Sequence, residues 1–217
     1  MAGDAVNRGQ ARQLLLDTAE ELFATHGVEG VSLRQVNAGA GVSAGVLHYH
    51  FGSREVLVHE LINRHMGALM AQRGELLEPL KAQDVPPLRE IISALVMPLA
   101  NLALAEGEPG ARYIRFISRL YSDRSAALEE ANQRYAEVHS SLRTLLHRSL
   151  PDRNPLEVDL KLAMANHAML QILTDLTSPG RPWLSGALKS VDNEQLTEML
   201  VDFMSDGIVG KGGKSNG

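Results

Sequence analysis

The chain has 217 residues, of which 44% are hydrophobic, a net charge of −5 and an isoelectric point of about 5.9. It contains no cysteine, which excludes disulfides, thiolate zinc sites and cysteine nucleophiles and makes a reducing cytoplasm the expected compartment. The acidic balance gives no broad basic field for nucleic acid, so any contact with DNA has to come from a few well-placed groups.

A membrane location is not expected, because no run of about 18 apolar residues occurs. The first residues, MAGDAVNRGQARQ, are polar and lack the apolar region of a signal peptide, so we expect none. Strand signals are nearly absent. The pattern predicts an all-α protein, long enough for one sizeable domain or for two small ones that share a helix.

The first predicted helix runs from about Gln10 to His26, with apolar side chains repeating on one helical face. Gly27 fits the left-handed position that closes a helix. Ser32 is then predicted to cap a short helix that ends at Gly41.

A second short helix is predicted directly after it, beginning at Ser43 as N-cap and reaching about His50. The pair Gly52–Ser53 breaks and caps the chain again, and a long helix follows from Arg54 to about Leu80. Two short helices joined by a tight turn that contains glycine are the signature of a helix-turn-helix.

The rest of the chain gives further predicted helices, separated by turns that are mostly rich in proline and glycine. They span Pro87–Ala105, Ala111–Tyr121, Ser125–Leu150, Pro155–Leu176 and Asn193–Ile208. The loop Thr177–Val191 separates the last two.

Metal and nucleophile chemistry were considered for the second short helix, because it contains H-x-H and begins with S-x-G. On a helix His48 and His50 lie about 200° apart, on opposite faces. His59 and His65 are too far apart for the zinc motif H-E-x-x-H. Ser43 lacks the glycine frame and preceding strand of a nucleophile elbow. We therefore predict no metal, cofactor or catalytic residue.

DNA recognition suits this segment better. A recognition helix enters the major groove with its N-terminal residues at base edges, and the small residues at 43–45 let the helix backbone approach closely. The N-terminus of the long helix adds backbone N–H donors for a phosphate. The side chains that can reach phosphates are Tyr49, His50 and Arg54.

The segment Ser32–Val58, SLRQVNAGAGVSAGVLHYHFGSREVLV, resembles the DNA-binding motif of the tetracycline-repressor (TetR) family of bacterial regulators. Ala40–Ser43 and Tyr49–Phe51 are the most specific parts, and the match covers about Ala11 to Leu61. The resemblance implies a homodimeric repressor that reads a pseudo-palindromic double-stranded operator and responds to a small-molecule effector. The residues implied to contact DNA are Ser32, Arg34, Ser43, Ala44, Gly45, His48, Tyr49, His50 and Arg54.

Three residues depart from the family pattern. Asn37 stands where a small apolar residue is usual, so its amide needs a partner if it is buried. Ala44 replaces a common lysine and His48 a frequent tyrosine, which suggests weaker contact with the DNA backbone. His48 and His50 are either neutral surface groups or a source of pH sensitivity near neutral pH. Phe51 is predicted to pack in the core.

The resemblance also implies a division of the chain into a helix-turn-helix domain, 1–52, and an effector-binding and dimerisation domain, 53–217. The dimer would form through the last two long helices. From Leu160 the first of these is apolar almost all round, and its methionines are expected in core or interface packing. Its polar exceptions either bond across the dimer or line an effector pocket. They are Asn166, His167 and Gln171.

The helix ARYIRFISRLY carries Arg112, Arg115 and Arg119 on one face and aromatic side chains mainly on the others. One interpretation is a solvated basic face beside an aromatic core face. A second is that Tyr113 and Phe116 wall an effector cavity whose mouth presents Arg115 to an anionic group.

Two other classes of function stay open on the residues alone. An α-helical enzyme is disfavoured, because no catalytic constellation or metal spacing is found. A TetR-like helical protein that acts through protein–protein contact, or in another role without DNA, is kept open by the acidic isoelectric point and the lysine missing at Ala44. DNA binding that weakens steeply with salt would separate these classes.

Overall fold

The computed structural model describes residues 2–105, 107–177 and 191–210. Within them the chain is all-α, as predicted, with no strand. The helices are α1 (Ala2–His26), α2 (Leu33–Gly39), α3 (Ala44–Phe51), α4 (Arg54–Leu77), α5 (Leu88–Ala105), α6 (Glu108–Ser122), α7 (Ala126–Arg134), α8 (Ala136–Ser149), α9 (Pro155–Thr177) and α10 (Asn193–Val209). Most of the predicted loop Thr177–Val191 lies outside the described residues.

Several predicted boundaries were wrong, and α1 begins at Ala2, eight residues before the predicted start at about Gln10. The helix predicted over Ser125–Leu150 is two helices, separated at Tyr135, whose ψ of 23° departs from helical geometry. The α6 helix begins three residues before the predicted start, because Pro109 suits the first turn of a helix, where no N–H is needed. The α4 helix ends at Leu77 and continues as the 3-10 turn Glu78–Ala82, since Pro79 cannot donate the next helical hydrogen bond.

The described contacts divide the chain into two compact units, and the first comprises Met1–Gly67 with Glu108–Arg134. In this unit α1 packs against α6, α2 and α3. Phe23 and Phe116, both fully buried, stack with their ring centroids 6.4 Å apart. The α6 helix is therefore part of the support behind the helix-turn-helix, while the division into domains 1–52 and 53–217 stays a prediction.

The second unit comprises Ala68–Gly107 and Tyr135–Gly217. Here α10 packs against α5 and α9, and α5 also packs against α8 and α9. Asp159 contacts Nε2 of His147 at 2.8 Å and forms an ion pair with Arg143. Burial opposes ionisation of Asp159, but these two partners outweigh it and hold the pKa of the carboxyl below its usual range. Among the described helices none is long and apolar enough to cross a membrane.

Candidate DNA-binding surface

The start of α2 is fixed by a reciprocal pair of hydrogen bonds. The Ser32 backbone N–H donates to Oε1 of Gln35 at 2.8 Å, and the Gln35 N–H donates to the Ser32 hydroxyl at 3.3 Å. This capping box satisfies N–H groups that a helix start leaves without partners. The predicted N-cap at Ser32 is confirmed.

The turn between α2 and α3 depends on Gly41, whose φ of 67° lies in the left-handed region that favours glycine. The N–H of Val42 donates to the Asn37 carbonyl at 3.1 Å and holds this turn against the end of α2. Asn37 is buried, and its side-chain amide donates to the Leu33 carbonyl at 3.0 Å. The partner that the sequence required for Asn37 is thus supplied one turn earlier in the same helix.

Helix α3 divides into an anchored face and a solvent face. Leu47 and Phe51 are buried, which confirms the core position predicted for Phe51. His48 is exposed, and Tyr49 is 69% exposed with its ring edge against the half-buried His50. An aromatic ring left in water forgoes on the order of 2 kcal/mol of burial. Packing within this chain does not explain why Tyr49 is aromatic.

At the N-terminal end of α3, Ser43 is exposed and Gly45 has open space beside it. Ser43 has the extended backbone of an N-cap, which confirms the predicted position, but its hydroxyl makes no capping hydrogen bond. Ala44 begins the helix. A Cβ added at Gly45 would meet nothing within 4 Å, whereas one at Gly39 on α2 would lie 2.7 Å from a methyl group of Thr18. Close packing of α2 against α1 therefore favours glycine at position 39, whereas packing within the chain does not favour it at position 45.

The α4 helix begins beside this surface. The N–H of Val56 donates to the Ser53 hydroxyl at 3.3 Å, which confirms the predicted cap. Arg54 forms an ion pair with Glu29 at 3.2 Å, a partner that sequence reasoning missed. Hydrogen bonds from Ser53 and from its own backbone hold the pKa of Glu55 below its usual range. Arg34 on α2 is exposed.

Helix α3 is also fixed from behind by Arg12 of α1. Its guanidinium carbon lies 5.4 Å from the centre of the Phe51 ring, and Nη2 lies 2.6 Å from Oε2 of Glu60 on α4. One side chain therefore touches both α3 and α4. Such a contact between distant parts of the chain leaves no local signal in the sequence.

A half-buried ionic cluster, formed by Asp17, Glu20, Arg64 and Arg112, connects α1, α4 and α6. Glu20 accepts from Nη1 of Arg64 at 3.0 Å and from Nε of Arg112 at 2.9 Å. Asp17 accepts from the same two guanidiniums at 2.6 and 3.1 Å. Burial raises the pKa of Glu20, although the hydrogen bond from Arg112 and the two arginine charges oppose this.

The structure corrects the solvated basic face predicted on α6. The side chain of Arg112 is only 16% exposed and belongs to the ionic cluster, while Arg115 pairs with Glu108 and Glu21. Tyr113 is buried in the first unit, where its hydroxyl donates to the Ile62 carbonyl at 2.8 Å. Effector contacts by Tyr113, Arg115 and Phe116 stay predictions.

Helix α9 is only partly buried within one chain, and its burial in a dimer interface stays a prediction. Met169 is in the core, but Met164 is 69% exposed and lies in line with exposed Leu156 and Leu160. On α10, Phe203 and Met199 are also exposed. Of the predicted pocket residues, Asn166 is half-buried, whereas His167 and Gln171 are exposed. The structure thus leaves an apolar stripe on these two helices, defined as Leu156, Leu160, Met164, Met199 and Phe203.

Two family models match the chain. The model described as "Tetracyclin repressor-like, C-terminal domain" matches residues 93–207, more than half of the sequence. The model described as "Bacterial regulatory proteins, tetR family" matches residues 15–61, which include α2, α3 and the start of α4.

Individual relatives agree with these models. The HTH-type transcriptional repressor KstR2 of Rhodococcus jostii is 32% identical over 75 residues, 35% of this chain and 37% of that protein. The HTH-type transcriptional repressor AcnR of Corynebacterium efficiens is 39% identical over 62 residues, 29% of this chain and 32% of that protein. The chain thus spans less than two fifths of the length of these curated relatives.

Solved structures extend the likeness to most of the fold. The probable transcriptional regulatory protein RHA5900 superposes with a TM-score of 0.61 at 20% identity, over 92% of this chain and all of that one. NalD of Pseudomonas aeruginosa, the secondary repressor of the MexAB-OprM multidrug efflux pump, gives a TM-score of 0.60 at 21% identity, over 92% and 97% of the two chains.

Proposed function

Since the chain belongs to the TetR family of bacterial regulatory proteins, we propose that it is a DNA-binding transcriptional repressor of the cytoplasm. A homodimer binds a pseudo-palindromic double-stranded operator and is released by a small-molecule effector. The observation that carries the proposal is the solvent face of α3, where Tyr49 is exposed while Leu47 and Phe51 anchor the opposite face.

The start of α3 reads base edges. Ser43 keeps its hydroxyl free of capping, and Gly45 presents open backbone, so the helix N-terminus can approach the floor of the major groove. His48 and Tyr49 lie one turn further on and contact the rim of the groove. A small residue at Ala44 allows closer approach than the lysine usual in the family, at the loss of one phosphate contact.

Phosphates are bound at the starts of α2 and α4. Ser32 and Arg34 bind a phosphate at the start of α2, and Arg54 binds one at the start of α4. The Arg54–Glu29 pair competes with DNA, but Glu29 is 93% exposed, and such surface pairs contribute at most about 1 kcal/mol. A phosphate is a stronger, bidentate partner for arginine and displaces Glu29.

The homodimer forms through α9 and α10, on the apolar stripe defined above. Three of its side chains repeat at four-residue spacing on α9, and two more repeat on α10. Exposed apolar side chains in such rows favour burial against a second copy, and a two-fold axis pairs the stripe with itself.

The test is fluorescence anisotropy with the DNA upstream of the protein's own gene, over a salt series. We expect Tyr49→Ala to weaken binding at least about fivefold, because a packed aromatic contributes on the order of 1–3 kcal/mol. Arg54→Ala should lower the salt slope by about one phosphate contact. Arg143→Ala, an exposed paired arginine of the second unit, is the matched control. Salt-independent binding, or unchanged affinity for Tyr49→Ala, argues for the protein-contact alternative.

A further inference from the structure

Arg73 of α4 is buried in the second unit without a counter-charge. Its side chain is only 3% exposed. Nη2 donates to the Leu95 carbonyl of α5 at 3.2 Å, and Nη1 lies 3.7 Å from the sulfur of Met70. Nε is buried with no hydrogen-bond partner. Among the described residues, no ion pair includes Arg73.

Two other poorly exposed arginines of this chain are paired with carboxylates. Arg64 and Arg112 each bind two carboxylates at distances between 2.6 and 3.1 Å. Around Arg73 no such compensation occurs, and burial alone lowers its pKa to about 10. The group stays charged at neutral pH, so the fold retains a desolvated cation.

A purely structural role does not account for the charge. Pro98 interrupts the hydrogen-bond ladder of α5, and Arg73 donates to a carbonyl in the turn before it. That contact uses one of the five N–H donors of a guanidinium. A neutral amide would make the same hydrogen bond without the cost of burying a full charge.

We propose that Arg73 receives the anionic group, a carboxylate or a phosphate, of a small molecule bound in the second unit. The guanidinium fork binds either group through two parallel hydrogen bonds. Arg73 would then gain both a negative counter-charge and hydrogen-bond acceptors for its N–H groups. The buried side chains one turn away on α4 are Leu69, Met70 and Leu77. The remainder of the ligand is therefore apolar. The regulatory role of this ligand rests on the proposed function above.

The earlier candidate for anion binding, Arg115, is less suited. It already pairs with Glu108 and with Glu21 in the first unit. A ligand there would have to replace a carboxylate that is present, whereas at Arg73 it would supply one that is absent.

The experiment uses thermal denaturation of the full chain with four probes that share one tail: octanoate, octyl phosphate, octanol and octylamine. We expect octanoate or octyl phosphate, and neither of the other two, to raise the Tm with saturation. Arg73→Met, close in length and apolar, should weaken this binding at least about tenfold. Arg73→Lys keeps the positive charge but loses the guanidinium fork, so its affinity for the anionic probe should lie between those of the wild type and Arg73→Met. The matched control is Arg89→Met, which removes an exposed arginine paired with Glu198 and Asp202.

Two outcomes overturn the proposal: no anionic probe stabilises the wild-type chain, or Arg73→Met responds to the anion as the wild type does. Circular dichroism establishes that each variant is folded before its response is compared. Operator affinity is measured separately, with and without the stabilising probe. Stabilisation without a change in operator affinity leaves the anion site in place and refutes only its regulatory role.

Discussion

Replacing Arg73 by methionine is expected to stabilise the protein in the absence of any ligand. Burial lowers the pKa of Arg73 to about 10. At about 1.4 kcal/mol per pKa unit, the distance from the usual arginine value corresponds to a destabilisation on the order of 3 kcal/mol. Loss of the hydrogen bond to the Leu95 carbonyl removes about 1 kcal/mol of stability. The variant should therefore gain roughly 2 kcal/mol.

The assay is urea and thermal unfolding followed by circular dichroism. For a chain of this length the gain corresponds to a rise in Tm of about 4–8 °C. A cation whose pKa is lowered by folding destabilises the folded state at every pH below that pKa, and the effect fades only as pH rises through about 10. The gain of Arg73→Met should therefore be constant between about pH 6 and pH 9. Arg89→Met, at an exposed pair, should leave the Tm close to that of the wild type. A lower Tm for Arg73→Met would refute the reasoning, since it would mean that Arg73 stabilises the fold.

Three further predictions test other parts of the molecule. Gly39→Ala should destabilise the protein by about 1 kcal/mol, because the added Cβ lies 2.7 Å from a methyl group on α1. Gly45→Ala should instead stabilise the protein by up to about 1 kcal/mol and weaken operator binding; equal effects of the two variants in urea unfolding would contradict this contrast. Met164→Glu should shift sedimentation toward the monomer, while Val85→Glu, at an equally exposed position outside the stripe, should not; dimers that persist in the first variant would exclude α9 from the interface. Asp159→Asn should lower the free energy of unfolding at neutral pH. The difference should shrink once pH falls below the usual aspartate value and disappear below the lowered pKa of the folded state, because a carboxyl whose pKa is lowered by folding loses its contribution there; a difference that persists in stronger acid would show that its ion pairs are not the cause.

The helix-turn-helix was predictable because its signals are local. The capping box at Ser32, the left-handed Gly41 and the cap at Ser53 each act within about four residues, so spacing alone locates them. The break at Tyr135 was missed because neither glycine nor proline marks it. The residues predicted to contact DNA were chosen by their type and their place in the motif, and their contacts stay a prediction.

Long-range pairing was not predictable in the same way. The arginines of α6 looked like a solvated face because their spacing says nothing about the carboxylates on α1 that meet them. A weak signal for Arg73 did exist, since it falls between Leu69 and Leu77 at four-residue spacing on an apolar face. Only the structure, in which α5 supplies a backbone carbonyl, established that no carboxylate of the described residues pairs with this charge.

The ionic cluster of Asp17, Glu20, Arg64 and Arg112 constrains how this protein can be recombined. Two of its members lie on α1, while Arg112 lies more than ninety residues further along the chain. A chimaera that exchanged only the first 52 residues would place foreign side chains opposite Arg64 and Arg112, and would leave two guanidiniums in a half-buried site without matched carboxylates. The helix-turn-helix domain that could be moved to another protein is therefore discontinuous in sequence. A chimaera that keeps the cluster intact has to carry α6 together with α1.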